Sequence, residues 1–108
     1  MCLKVNLFKI FHTIFRIAII TLGENGCCFV SKDSAKIYPT IKVNAIDTVG
    51  AGDSFNGALV AMLAKTNSME SAIKYALAAS SLSVLSKGSA ISMKKIDEGT
   101  KFMNDRNF

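Results

Sequence analysis

Residues 41 to 63 read "IKVNAIDTVGAGDSFNGALVAML", and the hydrophobic period changes in the middle of this stretch. Before Asp47, the residues Ile41, Val43 and Ala45 alternate as on one face of a strand. After Gly52, the residues Phe55, Leu59, Met62 and Leu63 fall on one face of a helix. The pattern predicts a strand over 41–46 and a helix from near Asp53 to near Lys65, joined by a turn of small residues. A strand, a glycine-rich turn and a helix leave backbone N–H groups free to face an anion, and the helix start adds about half a positive charge. Gly50, Ala51 and Gly52 have little or no side chain, so a phosphate can approach their amides closely.

Asp53 has two readings within this frame. It can be the N-cap of the helix, a role that stabilises it by about 1 kcal/mol. It can also take a proton from a substrate hydroxyl while the amides of the turn hold the phosphoryl group in transfer, since that chemistry needs a base and fixed positive dipoles together. Two other glycine-rich patterns do not fit. A P-loop requires Gly-Lys-Ser/Thr, and no lysine stands between Asp47 and Gly57. A dinucleotide fingerprint requires Gly or Ala where Phe55 stands.

The rest of the 108-residue chain bounds the function. Its length allows at most one small domain, and 50% hydrophobic with 19% charged residues is globular composition. A net charge of +5 comes from scattered lysines, which suits a nucleotide; without a basic stripe or interleaved aromatics, nucleic acid is not expected as a partner. His12 is the only histidine, which excludes histidine triads and multi-histidine metal sites. Cys2, Cys27 and Cys28 have no metal spacing, and free thiols point to a reducing, cytoplasmic compartment. In residues 1–16, Leu3, Leu7, Ile10 and Ile14 recur at helical spacing, but Lys4, Lys9, His12 and Arg16 interrupt the apolar run. That segment reads as an unassigned leader, either an amphipathic helix or an irregular start to the chain, and no membrane span is expected.

Further along, "IAIITL" over Ile17–Leu22 reads as a buried strand, Asn25-Gly26 as a turn, "CCFV" and Lys36–Tyr38 as further strands, and Pro39 as punctuation. Asn67 with Glu70 three residues on reads as a capping box opening a second helix. The predicted buried side of that helix is Met69, Ile73, Ala76, Leu77, Ser80 and Val84, and Lys87-Gly88 is its predicted stop. A short tail helix is expected over Met93–Met103, weakened by Gly99.

"DTVGAGDSFNGAL", with "TLGENG" upstream and "SKGSAIS" downstream, resembles the ribokinase-like (PfkB) carbohydrate kinases, and most nearly their ribokinase branch. The resemblance covers residues 17–108 and implies the C-terminal segment of a layered ribokinase-like α/β fold, strands followed by two or three helices. It implies ATP-dependent phosphorylation of a sugar hydroxyl, with Asp53 as the catalytic base that meets the sugar and Gly50, Ala51 and Gly52 as the anion hole. Thr21, Leu22, Gly23, Glu24, Asn25 and Gly26 would border the ATP, as would Gly52, Asp53 and Leu77. By the same resemblance an activating monovalent cation such as potassium would take oxygens from Asp47, Val49, Ser83, Ser86, Gly88 and Ser92, and magnesium would accompany the ATP. The family's Asn-x-x-Glu motif precedes the "TLGENG" strand, so "NSME" at Asn67 to Glu70 is assigned to capping instead. The sugar-binding half of the family fold has no counterpart here. A separate chain carrying that half, or a homodimer, is one way to complete the enzyme; the alternative is a non-catalytic nucleotide-binding or truncated remnant.

Overall fold

A computed structural model describes residues 16–85 and 96–108. The expected leader helix in residues 1–15, the Lys87-Gly88 stop and the cation ligands Ser86, Gly88 and Ser92 lie outside the described residues. The chain divides after Pro39 into two compact units, described separately below.

The first unit is an antiparallel sheet of β1 (Ile17–Thr21), β2 (Cys27–Ser31) and β3 (Ala35–Tyr38), in that order. In its register Ile19 faces Phe29, Ile20 faces Cys28, and Cys28 faces Ile37. The β-branched run at 17–21 forms a strand as expected, but not a buried one: among the described residues β1 pairs with β2 alone, and Ile17 is 52% exposed. The central strand carries the core, with Cys27, Cys28 and Val30 buried. Both cysteines are free thiols. Burial, and then the adjacent Cys28, push the Cys27 thiol up to about 11.

In its described residues the second unit begins irregularly and continues as the helices α1 (Ala51–Thr66), α2 (Met69–Ser83) and α3 (Ile96–Asp105). The expected strand over 41–46 does not form, and those residues carry no regular structure. A strand exists only by pairing, and no described strand pairs with this segment. Its backbone is tied to the end of α2 instead: the N–H groups of Ile46 and Asp47 both donate to the Val84 carbonyl, at 2.7 and 3.1 Å.

Helix α1 matches its expected span, though only Ser54 and Phe55 are buried on it. Helix α2 supplies most of the core, burying Ala72, Ile73, Tyr75, Ala76, Leu77, Ala78, Ser81 and Ser83. Burying an Ile or Leu side chain contributes about 1.5–3 kcal/mol, and the alanines between them let neighbouring helices approach closely. Met69 and Ser80, expected on the buried side, are only half-buried. The capping assignment shifts by one residue. Asn67 sits in the left-handed region (φ 54°) and terminates α1, while Ser68 caps α2 by accepting the Ser71 N–H at 3.3 Å. Asn tolerates left-handed backbone better than most residues, so the loop of two residues uses Asn67 to end one helix and Ser68 to start the next. Helix α2 itself stops at Ser83, short of the expected end.

Gly99 packs rather than weakens the tail helix. It is buried, and a Cβ placed there would stand 2.8 Å from the Tyr75 ring. Tyr75 on α2 needs that gap for α3 to lie against it.

Candidate active site

The turn before α1 is built by local hydrogen bonds. Asp47 Oδ1 accepts the Val49 N–H at 2.9 Å, which is an Asx turn. Gly50 follows in the left-handed conformation (φ 81°, ψ 3°) as the N-cap of α1, a backbone state that strains any residue with a Cβ. The helix then closes with Ser54 N–H donating to the Gly50 carbonyl at 2.9 Å.

Asp53 is therefore not the N-cap. Gly50 holds that place without a side-chain acceptor, and Asp53 is the third helical residue, exposed in the first turn. A carboxylate there interacts favourably with the helix start, by about 0.3–1 kcal/mol, but satisfies no cap. Of the amides around it, Ala51 N–H is engaged by the Thr48 carbonyl at 3.2 Å. Among the described residues, the N–H groups of Gly52 and Asp53 donate to nothing. Gly52 is exposed, and a Cβ there would meet nothing within 4 Å. The turn thus brings together two unengaged amides, a positive helix start and a free carboxylate on one exposed surface.

The other expected site residues fall in three places. Thr21 to Gly26 form the connection between β1 and β2, where Gly23–Asn25 make one turn of 3-10 helix. That connection is closed on itself through Leu22 N–H to Gly26 O at 2.8 Å and Gly26 N–H to Gly23 O at 3.2 Å. Leu77 is 3% exposed on α2, so its side chain belongs to the core. Ser83 Oγ donates to the Ser80 carbonyl at 2.7 Å.

For a monovalent cation, the donor set fits in kind: carboxylate, hydroxyl and carbonyl oxygens are the ligands a hard cation takes. The Asp47 N–H bond to Val84 also draws the loop of Asp47 and Val49 to the end of α2, where Ser83 stands. No group of three or more His, Cys, Asp or Glu side chains able to hold a metal occurs among the described residues.

Two features escaped the sequence reading. Ser54 Oγ is buried beside Asp53 with no hydrogen-bond partner among the described residues, and Ser81 is a buried junction between α2 and residues 40–41. A serine near a helix end carries no signal of either, because both depend on what packs against it.

Comparison with known proteins decides the lineage. The family model described as "pfkB family carbohydrate kinase" matches residues 4–96. The chain belongs to the pfkB family of carbohydrate kinases. The pfkB match starts within the stretch that sequence inspection left unassigned. Among curated relatives, a deoxyribokinase of Salmonella typhi is 33% identical over 86 residues, 80% of this chain and 28% of the relative. A ribokinase of Staphylococcus aureus is 41% identical over 81 residues, 74% of this chain and 27% of the relative. Among solved structures, a ribokinase from Thermotoga maritima superposes with a TM-score of 0.88 at 32% identity, covering 96% of this chain and 35% of that one. A fructokinase double mutant from Vibrio cholerae, in a form with fructose, ADP and potassium ion bound, superposes at 0.81 with 25% identity, over 92% of this chain and 34% of that one. The chain thus spans about a third or less of the pfkB proteins it matches. Strands followed by helices, expected from the resemblance, are the architecture these structures share with it. No described helix is long and apolar enough to cross a membrane.

Proposed function

We propose that this chain supplies the phosphate-holding turn and the catalytic base of a kinase that moves the γ-phosphoryl group of ATP to a sugar hydroxyl. The observation that carries this reading is the pairing at the start of α1: Asp53 is exposed and the Gly52 and Asp53 amides beside it are unengaged. In this reading Asp53 accepts the proton of the attacking hydroxyl, and the two amides, with the helix start, hold the phosphoryl oxygens as their charge develops. The Gly50 amide joins them, and the Thr21 to Gly26 connection contributes to nucleotide binding.

Magnesium would accompany the nucleotide phosphates; among the described residues no group of three or more His, Cys, Asp or Glu side chains could hold it. Asp47, Val49 and Ser83 are the described oxygen donors for a potassium ion, whose charge would favour the anion held by the adjacent turn. The potassium bound by the fructokinase from Vibrio cholerae supports this assignment. The sugar is held mainly by parts of the kinase fold that have no counterpart in this chain, supplied in the same protein or by a partner.

The test is Asp53→Asn, assayed with a sugar-binding portion supplied. ATP affinity is expected to persist, while sugar phosphorylation falls about 100-fold or more because the base is gone. Melting is expected to drop by no more than about 1 kcal/mol, the contribution of a first-turn carboxylate. An unchanged phosphorylation rate would reduce Asp53 to a helix-dipole residue.

A further inference from the structure

The segment that leads into the phosphate turn has no ladder of its own, so something else must fix its position. Two of its attachments end at the C-terminal end of α2, on Ser81 and on the C-cap Val84. Near its start, Ser81 Oγ donates to the Ile41 carbonyl at 3.3 Å and lies 2.8 Å from Thr40 Oγ1. A serine hydroxyl has one proton; since Ser81 gives it to Ile41, Thr40 is the donor of the shorter bond. Near its end, the Val84 carbonyl accepts the Ile46 and Asp47 N–H groups. From Asp47 the connection runs on through its Oδ1 to the Val49 N–H, and from there into Gly50 and the first turn of α1. Ser81 is 6% exposed, so its bond to the Ile41 carbonyl is shielded from water, while its contact with Thr40 is partly buried.

We infer that Ser81 is a positioning residue for the phosphate turn: it sets, through Thr40 and Ile41, where the 40–47 segment leaves α2 and hence where the Gly52 and Asp53 amides stand. This rests on the proposed role of that turn and adds to it a dependence on the end of α2. Of these two, the attachment at Val84 is main chain and survives a substitution there, whereas the Ser81 attachment depends on its side chain.

The experiment compares three single variants of the isotope-labelled chain, by ADP titration calorimetry and by NMR amide shifts and hydrogen exchange at Gly50, Gly52 and Asp53. Ser81→Ala removes both bonds, and Thr40→Val removes only the shorter one and serves if Ser81→Ala does not fold. Ser68→Ala removes the cap at the opposite end of the same helix and is a control for lost stability. Expected are displaced amide shifts, faster exchange and ADP affinity about 10-fold weaker in Ser81→Ala, with smaller changes of the same sign in Thr40→Val. In Ser68→Ala the turn amides keep their shifts and affinity stays within about twofold, at a comparable fall in melting temperature. The inference is overturned if the turn amides of Ser81→Ala and Thr40→Val match those of Ser68→Ala. If the wild-type chain binds no ADP, the phosphate role fails, while the amide shifts and exchange rates still decide whether Ser81 positions the turn.

Discussion

Two glycine-bearing turns in this chain look alike in sequence and differ in what they leave open. In Gly23 to Gly26, the backbone closes on itself, and Gly26 (φ 89°) lies so close to β3 that a Cβ would overlap the Tyr38 carbonyl. In Gly50 to Asp53, two amides are unengaged and Gly52 faces open space. The first turn needs glycine for the protein's own packing. The second needs Gly50 for its left-handed backbone, but it also has Gly52 where the protein's own packing needs none, which is the pattern expected where a ligand must come close to the backbone.

The largest effect is expected at Gly26→Ala. Left-handed backbone and overlap with a main-chain carbonyl act together, so the sheet unit should lose about 3 kcal/mol or more, seen as loss of cooperative melting. A mild effect would mean that the Gly23 to Gly26 turn is also open, and the contrast would collapse.

Gly99→Ala sharpens the contrast from the packing side. The obstacle is the Tyr75 ring, a side chain that can move, so the loss should be smaller, about 1–3 kcal/mol in denaturant melts.

Cys27 gives a pH test of the packed unit. Its thiol is raised from about 9.0 to about 11 in the folded chain, so the unfolded chain ionises first as the pH rises. The stability contribution is complete below pH 9 and is lost as the pH climbs from 9 towards 11. Melting temperature should fall across that window, and Cys27→Ala should flatten the fall.

The smallest effect, and the one of opposite sign, belongs to Gly52→Ala. Nothing obstructs the new methyl, and alanine is the better helix former, so melting should rise by about 0.5–1 kcal/mol. ADP affinity should fall at the same time. Unchanged affinity would make Gly52 an ordinary helix glycine and remove the distinction between the two turns.

How far the sequence was legible depended on the range of the interactions involved. The span of α1 followed from Phe55, Leu59, Met62 and Leu63, because helical periodicity is carried by each residue and its neighbours three and four away. The hairpin at Asn25-Gly26 was legible for the same reason. The strand expected at 41–46 was not formed, because alternation says which face a strand would bury and not whether a partner exists. The capping role expected of Asn67 fell to Ser68 because both residue types suit a helix end, and only the tightness of a two-residue loop chooses between them.

The sequence by itself determined the glycine-rich turn at the head of a helix, the carboxylate at Asp53 and the family resemblance, since each is a local pattern of residue types. Tertiary structure alone decided that Gly99 is a gap for the Tyr75 ring and that Ser81 ties down the segment leading to the turn. The physical reason is distance along the chain. Gly99 and Tyr75, or Ser81 and Ile41, meet only when the helices pack, and no local pattern of residue types encodes a contact made between remote segments.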